Sequence, residues 1–534
     1  MTLTHGSLRR QRKDYSRRIK KARREFQQFL REHFPAPTEL KGPTVLVEIN
    51  SMSSSHVAYA YLANVIAEET SGLIKPFAAR GSRRSWLPFV NGKLRPLFVG
   101  VWFIQSLRVY RSFGARGLVC PVPTRRERSE AGRIVSEFLK RNPDKRAFEK
   151  LEIRGVKIGD LLYDSYLRNY NVPTIDLNTR RLELMLRLSI EEALVWDRFF
   201  ASANISAVLG SHAGYIAAIP LRFAMARQIP VFEPTIQRIF RLSQERPIDS
   251  DFLDFPAIFA SFSDEQKEES RLLAKQRLER RFSGEVGVDM AYSTASAYTK
   301  VAPERLIENS SRPKVLIAAH CFFDNPHCYG DNLFPDFWEW LEFLGNFSQT
   351  VDYDWYIKTH PDVLPGNIEV LSEICSRYST LKLLPSDASH HQIIEEGIDV
   401  ALTVYGTIGF EYAYLGVPVI NASERNPHIM YGFNFHPKSV SEYENLLRAI
   451  PNLTLGNSQD EVAEFYYMKN IYGSWNLFFD NWESSLNSLG GYTAQFSPVV
   501  FEEFLRGLSY LKHKQIKSEL RAFFLSTDHR LYFQ

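Results

Sequence analysis

The stretch Asp399 to Ile420, DVALTVYGTIGFEYAYLGVPVI, constrains the fold more than any other part of this chain. Asp399 to Val404 is a β-rich apolar run, Gly406-Thr407 supplies a turn, and Ile408 to Leu415 has helical spacing. Gly416 ends that helix, and Val417 to Ile420 reads as a second buried strand. Such a unit sets a helix N-terminus at the carboxyl end of a parallel strand, where free N–H groups and the helix dipole favour a phosphate. The Thr407 hydroxyl falls at that phosphate position. Glu411, one helical turn on, faces the same way and can accept hydrogen bonds from a ribose. The plainer alternative is an ordinary crossover whose glycine serves only the turn.

The segment Trp355 to Asp362, WYIKTHPD, favours the first alternative. Lys358 and His360 fall at the end of a predicted strand, and Pro361 biases His360 towards an extended conformation. Lys358, His360, Gly406, Thr407 and Glu411 can therefore meet in one crevice. A lysine, a histidine and a helix N-terminus together neutralise a phosphate or diphosphate, as departure of a nucleotide from an activated sugar requires.

Similar strand–turn–helix units occur elsewhere. Thr44 to Ile49 is an apolar strand followed by the small-residue turn Asn50 to Ser55, which either cradles a phosphate or an acceptor sugar or is simply serine-rich. Gly117 to Pro121 reads as a strand, and Ile205 to Phe232 as strand, turn, helix and strand. His212 stands where that strand meets its helix, either as a structural residue or as a general base or phosphate ligand. Glu152 to Arg168, dense in Asp, Tyr and Arg, suits a hydroxyl-rich acceptor or a structural helix face. Lys314 to Ala319 opens a second series, and its exit loop HCFFDNPHC offers His320, Asp324 and His327 to a nucleotide or sugar. Zinc is disfavoured there, because the His-Cys pairs are adjacent rather than separated by about two to four residues. Asp352-Tyr-Asp354 resembles a metal-binding Asp-x-Asp but precedes its strand and reads as a turn, so no metal site is expected.

With 534 residues, the chain exceeds what one core usually serves. The expected fold class is α/β, with two Rossmann-like domains facing across a cleft. The divisions are 1–43 (basic helix and linker), 44–263 (acceptor side), 264–312 (connecting helix and linker), 313–461 (nucleotide-sugar side) and 462–534 (a helical tail partly returning to the first domain). Four cysteines argue against a disulfide scaffold. The basic N-terminus has no apolar core behind it, so no signal peptide is expected and the location reads as cytoplasmic. No Walker loop, GxGxxG or nucleophile elbow appears, which disfavours ATPases, Rossmann dehydrogenases and α/β-hydrolases.

Charge is uneven. Leu8 to Arg24 holds ten Lys/Arg against one Asp in a chain of net charge +4, so the remainder is net negative. Tyr15, Ile19, Ala22, Phe26 and Phe29 recur at helical steps, which makes an amphipathic basic helix. Three readings compete: a helix packed on its own domain, an anchor on an anionic membrane surface through Arg9 to Arg24, and a nucleic-acid arm. The last lacks a second basic cluster with interleaved aromatics, so no nucleic-acid partner is expected.

The motifs Lys358-Thr-His-Pro361, Gly406-Thr-Ile-Gly-Phe-Glu411 and Gly416-Val-Pro-Val419 resemble those of a GT-B glycosyltransferase, more narrowly the bacterial capsule and surface-polysaccharide biosynthesis family that includes the Kdo transferases. Weaker echoes are Gly159 to Arg168, Ser211-His212 with Tyr215 and Arg222, and His320 to His327. The resemblance implies metal-independent transfer from a CMP-, UDP- or GDP-sugar to a growing capsule or lipopolysaccharide-type glycan, with the nucleotide-sugar as substrate and no cofactor. It implies donor contacts from His360, Thr407 and Glu411, and an acceptor, free or lipid-linked, on the first domain with His212 or Asp164 as acid/base group. The N-terminal domain does not match a complete family pattern. Rival expectations are a sugar-nucleotide 2-epimerase-like enzyme, an alcohol-phosphate transferase of the teichoic-acid type and a non-catalytic scaffold. The basic helix would place the protein peripherally on the inner membrane face.

Overall fold

A computed structural model describes residues 5–34, 42–78, 95–290, 293–360, 365–454, 456, 459–473 and 477–533. Twelve strands appear among them: β1 (Thr44–Glu48), β2 (Leu73–Phe77), β3 (Glu152–Ile153), β4 (Val156–Lys157), β5 (Ile205–Leu209), β6 (Val231–Pro234), β7 (Ile239–Leu242), β8 (Lys314–Ala318), β9 (Asp354–Lys358), β10 (Leu381–Leu383), β11 (Val400–Thr403) and β12 (Val419–Asn421). They form one sheet of order β2-β1-β5-β6-β7, a second of order β10-β9-β8-β11-β12, and the small β3-β4 hairpin. The second sheet is parallel throughout, and in the first only β7 runs antiparallel to its neighbour.

Parallel strands need cover on both faces, which is why they read as continuous apolar runs. Every residue of β1, β9, β11 and β12 is buried. Separate apolar clusters fill the two faces of each sheet. In both sheets the strand order reverses at the first strand: β1 lies between β2 and β5, and β8 between β9 and β11. The crevice outside the carboxyl ends at such a reversal is where open α/β sheets bind ligands. The fold is thus two Rossmann-like α/β units.

Three details depart from expectation. Strands β2 and β7 carry no clean apolar run (LIKPF and IFRL), so the sequence did not mark them. Gly117 to Pro121 forms no full strand; Val119 alone bridges Phe77. The connecting helix, Asp264–Phe282, starts at a Ser263–Gln266 capping box and buries Ala274, Leu278 and Phe282 in a cluster shared with Val462, Phe465 and Tyr466. The charge-dense sequence Asp264 to Arg281 reads as a solvated helix, yet it is part of the second unit's packing.

The two chain ends complete the first unit. Phe26 and Leu30 of the helix His5–His33, and Phe34 just after it, are buried with Phe501, Phe504 and Phe523 of the tail, and Phe26 stacks on Phe501 with centroids 4.2 Å apart. Burying each such side chain contributes about 1.5–3 kcal/mol. The exposed Arg18–Glu502 pair at 2.8 Å adds about 0–1 kcal/mol, so apolar contact holds this helix and its basic residues do not. Near the C-terminus, Arg241 N–H donates to His529 O at 2.7 Å and Leu531 N–H donates to Ile239 O at 2.9 Å, extending the sheet beyond β7. Arg530 is buried there against Asp251. Among the described residues no helix is long and apolar enough to cross a membrane.

Candidate functional site

The β9 end brings Lys358 into the second unit's crevice. The residue is 2% exposed, and its ammonium donates to Ser386 O at 3.0 Å with Thr359 O 3.4 Å away. Burial lowers its pKa to about 8 against the attraction of Glu411 and Asp387. Carbonyl oxygens are dipoles without net charge and leave the cation's charge uncancelled, so this site favours an anion. His360, two residues on, is exposed. His390 is buried, bonded through Nδ1 to Tyr412 Oη at 2.8 Å, and is kept neutral by burial and by the charges of Lys358 and His360. Pro361 lies outside the described residues.

Beyond β11, Gly406 N–H donates to Thr403 Oγ1 at 3.1 Å. The Gly409 and Phe410 N–H groups turn back to Gly406 O and Thr407 O. The helix that follows, Ile408–Tyr414, is only seven residues long, so its dipole is small and what it offers an anion is the amides of Thr407 and Ile408. An added Cβ on Gly406 would lie 2.9 Å from Thr403 Oγ1, so only glycine fits this turn without a shift. His320 supports the turn rather than facing a ligand. Its Nε2 accepts from Val404 N–H at 3.1 Å and sits 3.0 Å from Thr403 Oγ1, its ring stacks on Phe337 at 4.6 Å, and burial holds its pKa at about 3.

Glu411 is 3% exposed and its carboxylate points inward. Arg281 Nε donates to Oε1 at 2.9 Å and Tyr298 Oη donates to Oε2 at 2.6 Å. Burial alone would raise the carboxyl pKa, but Arg281 and Tyr298 outweigh it and hold it low. Glu411 is thus placed beneath the turn as the counter-charge of a buried ion pair, rather than at the surface where a ribose would lie.

On the first unit, Glu48 at the end of β1 accepts from Ser211 N–H at 2.6 Å and Ser211 Oγ at 2.7 Å. Glu233, in β6, accepts from Ala213 N–H, and burial raises its pKa to about 8. These two carboxyl groups hold the loop that presents His212. That ring is exposed at the cleft, yet the protein around it still draws its pKa down by desolvation, opposed by Asp324. Tyr215 follows at φ 59° and ψ 175°, a conformation costing about 1–3 kcal/mol in a non-glycine residue. Its hydroxyl donates to Asp324 Oδ1 at 2.7 Å, and Arg168 stands 3.6 Å from the same carboxylate. Asp324 therefore faces the first unit's loop, across the cleft from its own sheet.

Asp164 is fully buried and does not open to the cleft. Its Oδ1 lies 2.5 Å from His327 Nδ1, and His327 Nε2 lies 3.1 Å from Glu149 Oε1. Around this triad Tyr163 Oη donates to Asp336 Oδ2 at 2.5 Å, Lys157 Nζ to Asp331 Oδ1 at 2.6 Å and Arg146 to the carbonyls of Asn332 and Leu333. The His320–Asp331 loop is thus a bridge between the units, not a free ligand loop. The serine turn after β1 is likewise spent internally: Ser53 Oγ donates to Phe496 O at 3.1 Å and Ser106 Oγ to Asn50 O at 3.1 Å.

The sequence reading missed Glu48, Glu233, Arg281, Tyr298 and His390. Glu48 ends a marked strand and was within reach; the others lie in segments whose register only the fold sets.

No family model and no curated protein matches this chain. Among solved structures it is similar to KpsC of Thermosulfurimonas dismutans, a β-Kdo 2,4 transferase, at 13% identity and TM-score 0.30, covering 50% of this chain and 79% of that one. It is similar to the UDP-GlcNAc 2-epimerase of Neisseria meningitidis bound to UDP-GlcNAc at 9% identity and TM-score 0.22, covering 80% and 96%. The calicheamicin glycosyltransferase CalG4 gives 10% identity and TM-score 0.22, covering 88% and 100%. Likeness this low carries no argument about activity, and the fold stands on the strand order described above.

Proposed function

We propose that the chain is a glycosyltransferase of GT-B type that moves a sugar from a nucleotide-sugar donor to a surface glycan. Lys358 carries this reading: a buried ammonium with carbonyl partners at the carboxyl end of β9, beside the β8–β11 reversal. There it meets the donor's phosphate together with His360 and the amides of Thr407 and Ile408. As the sugar–phosphate bond breaks, negative charge gathers on the leaving oxygen, and a cation in low dielectric stabilises it without a bound metal. Glu411 acts from beneath, fixed by Arg281 and keeping Lys358 charged.

The acceptor hydroxyl enters from the first unit. His212, neutral and exposed just beyond β5, is the group we assign to take its proton: its Nδ1 accepts from Gly214 N–H at 3.0 Å, so the imidazole takes the acceptor's proton there as that amide is released. Asp324 and Arg168 line the same side and offer hydrogen bonds to a sugar. Asp164 supports the reaction through the domain bridge rather than by touching the acceptor. A panel of CMP-, UDP- and GDP-sugars, scored for nucleotide release with and without membrane or capsule glycan, tests the proposal. Acceptor-dependent release that Lys358→Met abolishes supports it. Acceptor-independent release of free sugar or epimer would favour the 2-epimerase reading, and no release from any donor would contradict transfer.

A further inference from the structure

We propose that the outer face of the helix His5–His33 docks on an anionic lipid bilayer. The inference stands apart from the nucleotide site. Since the apolar side of this helix is used within its own unit, its orientation is fixed and its outer side is a permanent surface. Lys13, Arg17, Lys20, Arg24 and Arg31 are all exposed there. At 3.6 residues per turn they fall within an arc of about 60°, a straight basic stripe, while Asp14, Glu25 and Glu32 lie about 100° round the helix. Of the five cations, Arg17 alone has a carboxylate nearby among the described residues, Asp14 at 3.6 Å. The side chains of Arg9, Arg10 and Arg12 lie outside the described residues.

Five solvated cations on one line of a helix whose position is fixed are what an anionic headgroup layer attracts. Tyr15 lies about 200° round the helix from Lys13 and reaches Ser497 on the packed side, so the contact is electrostatic rather than an insertion of rings. A single convex helix is not the basic groove that tracks a single-stranded nucleic acid. The net-negative remainder of the chain turns this face, rather than any other, towards an anionic leaflet.

Vesicle flotation of the full-length protein tests this, with phosphatidylcholine alone and with added phosphatidylglycerol. Flotation is expected only with the anionic vesicles and is expected to weaken with salt. Lys13→Gln, Lys20→Gln and Arg24→Gln together are expected to lower partition on the order of a hundredfold. Equal flotation with both lipid compositions, or none with either, would overturn the proposal on the unaltered protein alone. So would undiminished binding by the triple variant, or tighter retention on heparin or single-stranded DNA than on anionic vesicles.

Discussion

His327 and Asp164 meet across the two units, Nδ1 to Oδ1 at 2.5 Å, with Glu149 on the other ring nitrogen and every partner buried. Burial alone would lower the imidazole pKa, but Asp164 and Glu149 outweigh it and lift it to about 10. Asp164 is itself raised to about 6 by its burial. The cleft geometry therefore depends on an imidazolium held between carboxylates.

That arrangement predicts an alkaline weakness. The folded state binds the His327 proton more tightly than the unfolded chain, so its contribution is complete below pH 6.5 and is lost as pH rises through about 10. Melting temperature is expected to fall across that window. His327→Gln is expected to melt lower at neutral pH and to show a flatter alkaline slope. Parallel slopes for the two proteins would remove the bridge from this role.

Arg281 and Glu411 predict a second asymmetry. Removing one member of a buried pair strands the other charge, so Arg281→Met is expected to cost about 3–5 kcal/mol in denaturant unfolding. Arg281→Met with Glu411→Gln is expected to recover much of that loss. Additive losses would show that the pair is not coupled.

The carboxylate at the end of β1 predicts a division of labour. Glu48→Ala frees Ser211 and with it the loop carrying His212. Transfer is expected to fall by on the order of 10²-fold or more, as for a lost general base, while nucleotide affinity stays unchanged. A matching fall in nucleotide affinity would place this loop on the donor side.

Much of the second unit was legible. The runs ending in Lys358 and Thr403 are both continuous apolar strands and marked crevice positions, and the Gly406 turn fell where expected. Side-chain direction was not legible. Glu411 occupies the anticipated helix position yet turns inward, because Arg281 arrives from a helix far earlier in the chain. Asp164 and His327 each stood out as chemistry-bearing residues, but only the packing of the two units reveals that they belong to each other. Strand β2 escaped because Lys75 and Pro76 interrupt its pattern while pairing with β1 still buries it.

The most direct measurement is calorimetric titration of CMP, UDP and GDP into the full chain and into Lys358→Met and His360→Ala. Selective binding of one nucleotide is expected, lost in Lys358→Met and weakened in His360→Ala. Because burial lowers the Lys358 pKa to about 8, the affinity of the unaltered protein is expected to decline as pH rises past that value. Failure of all three nucleotides to bind at millimolar concentration, or binding that Lys358→Met leaves intact, would contradict the assignment of this crevice to a donor phosphate.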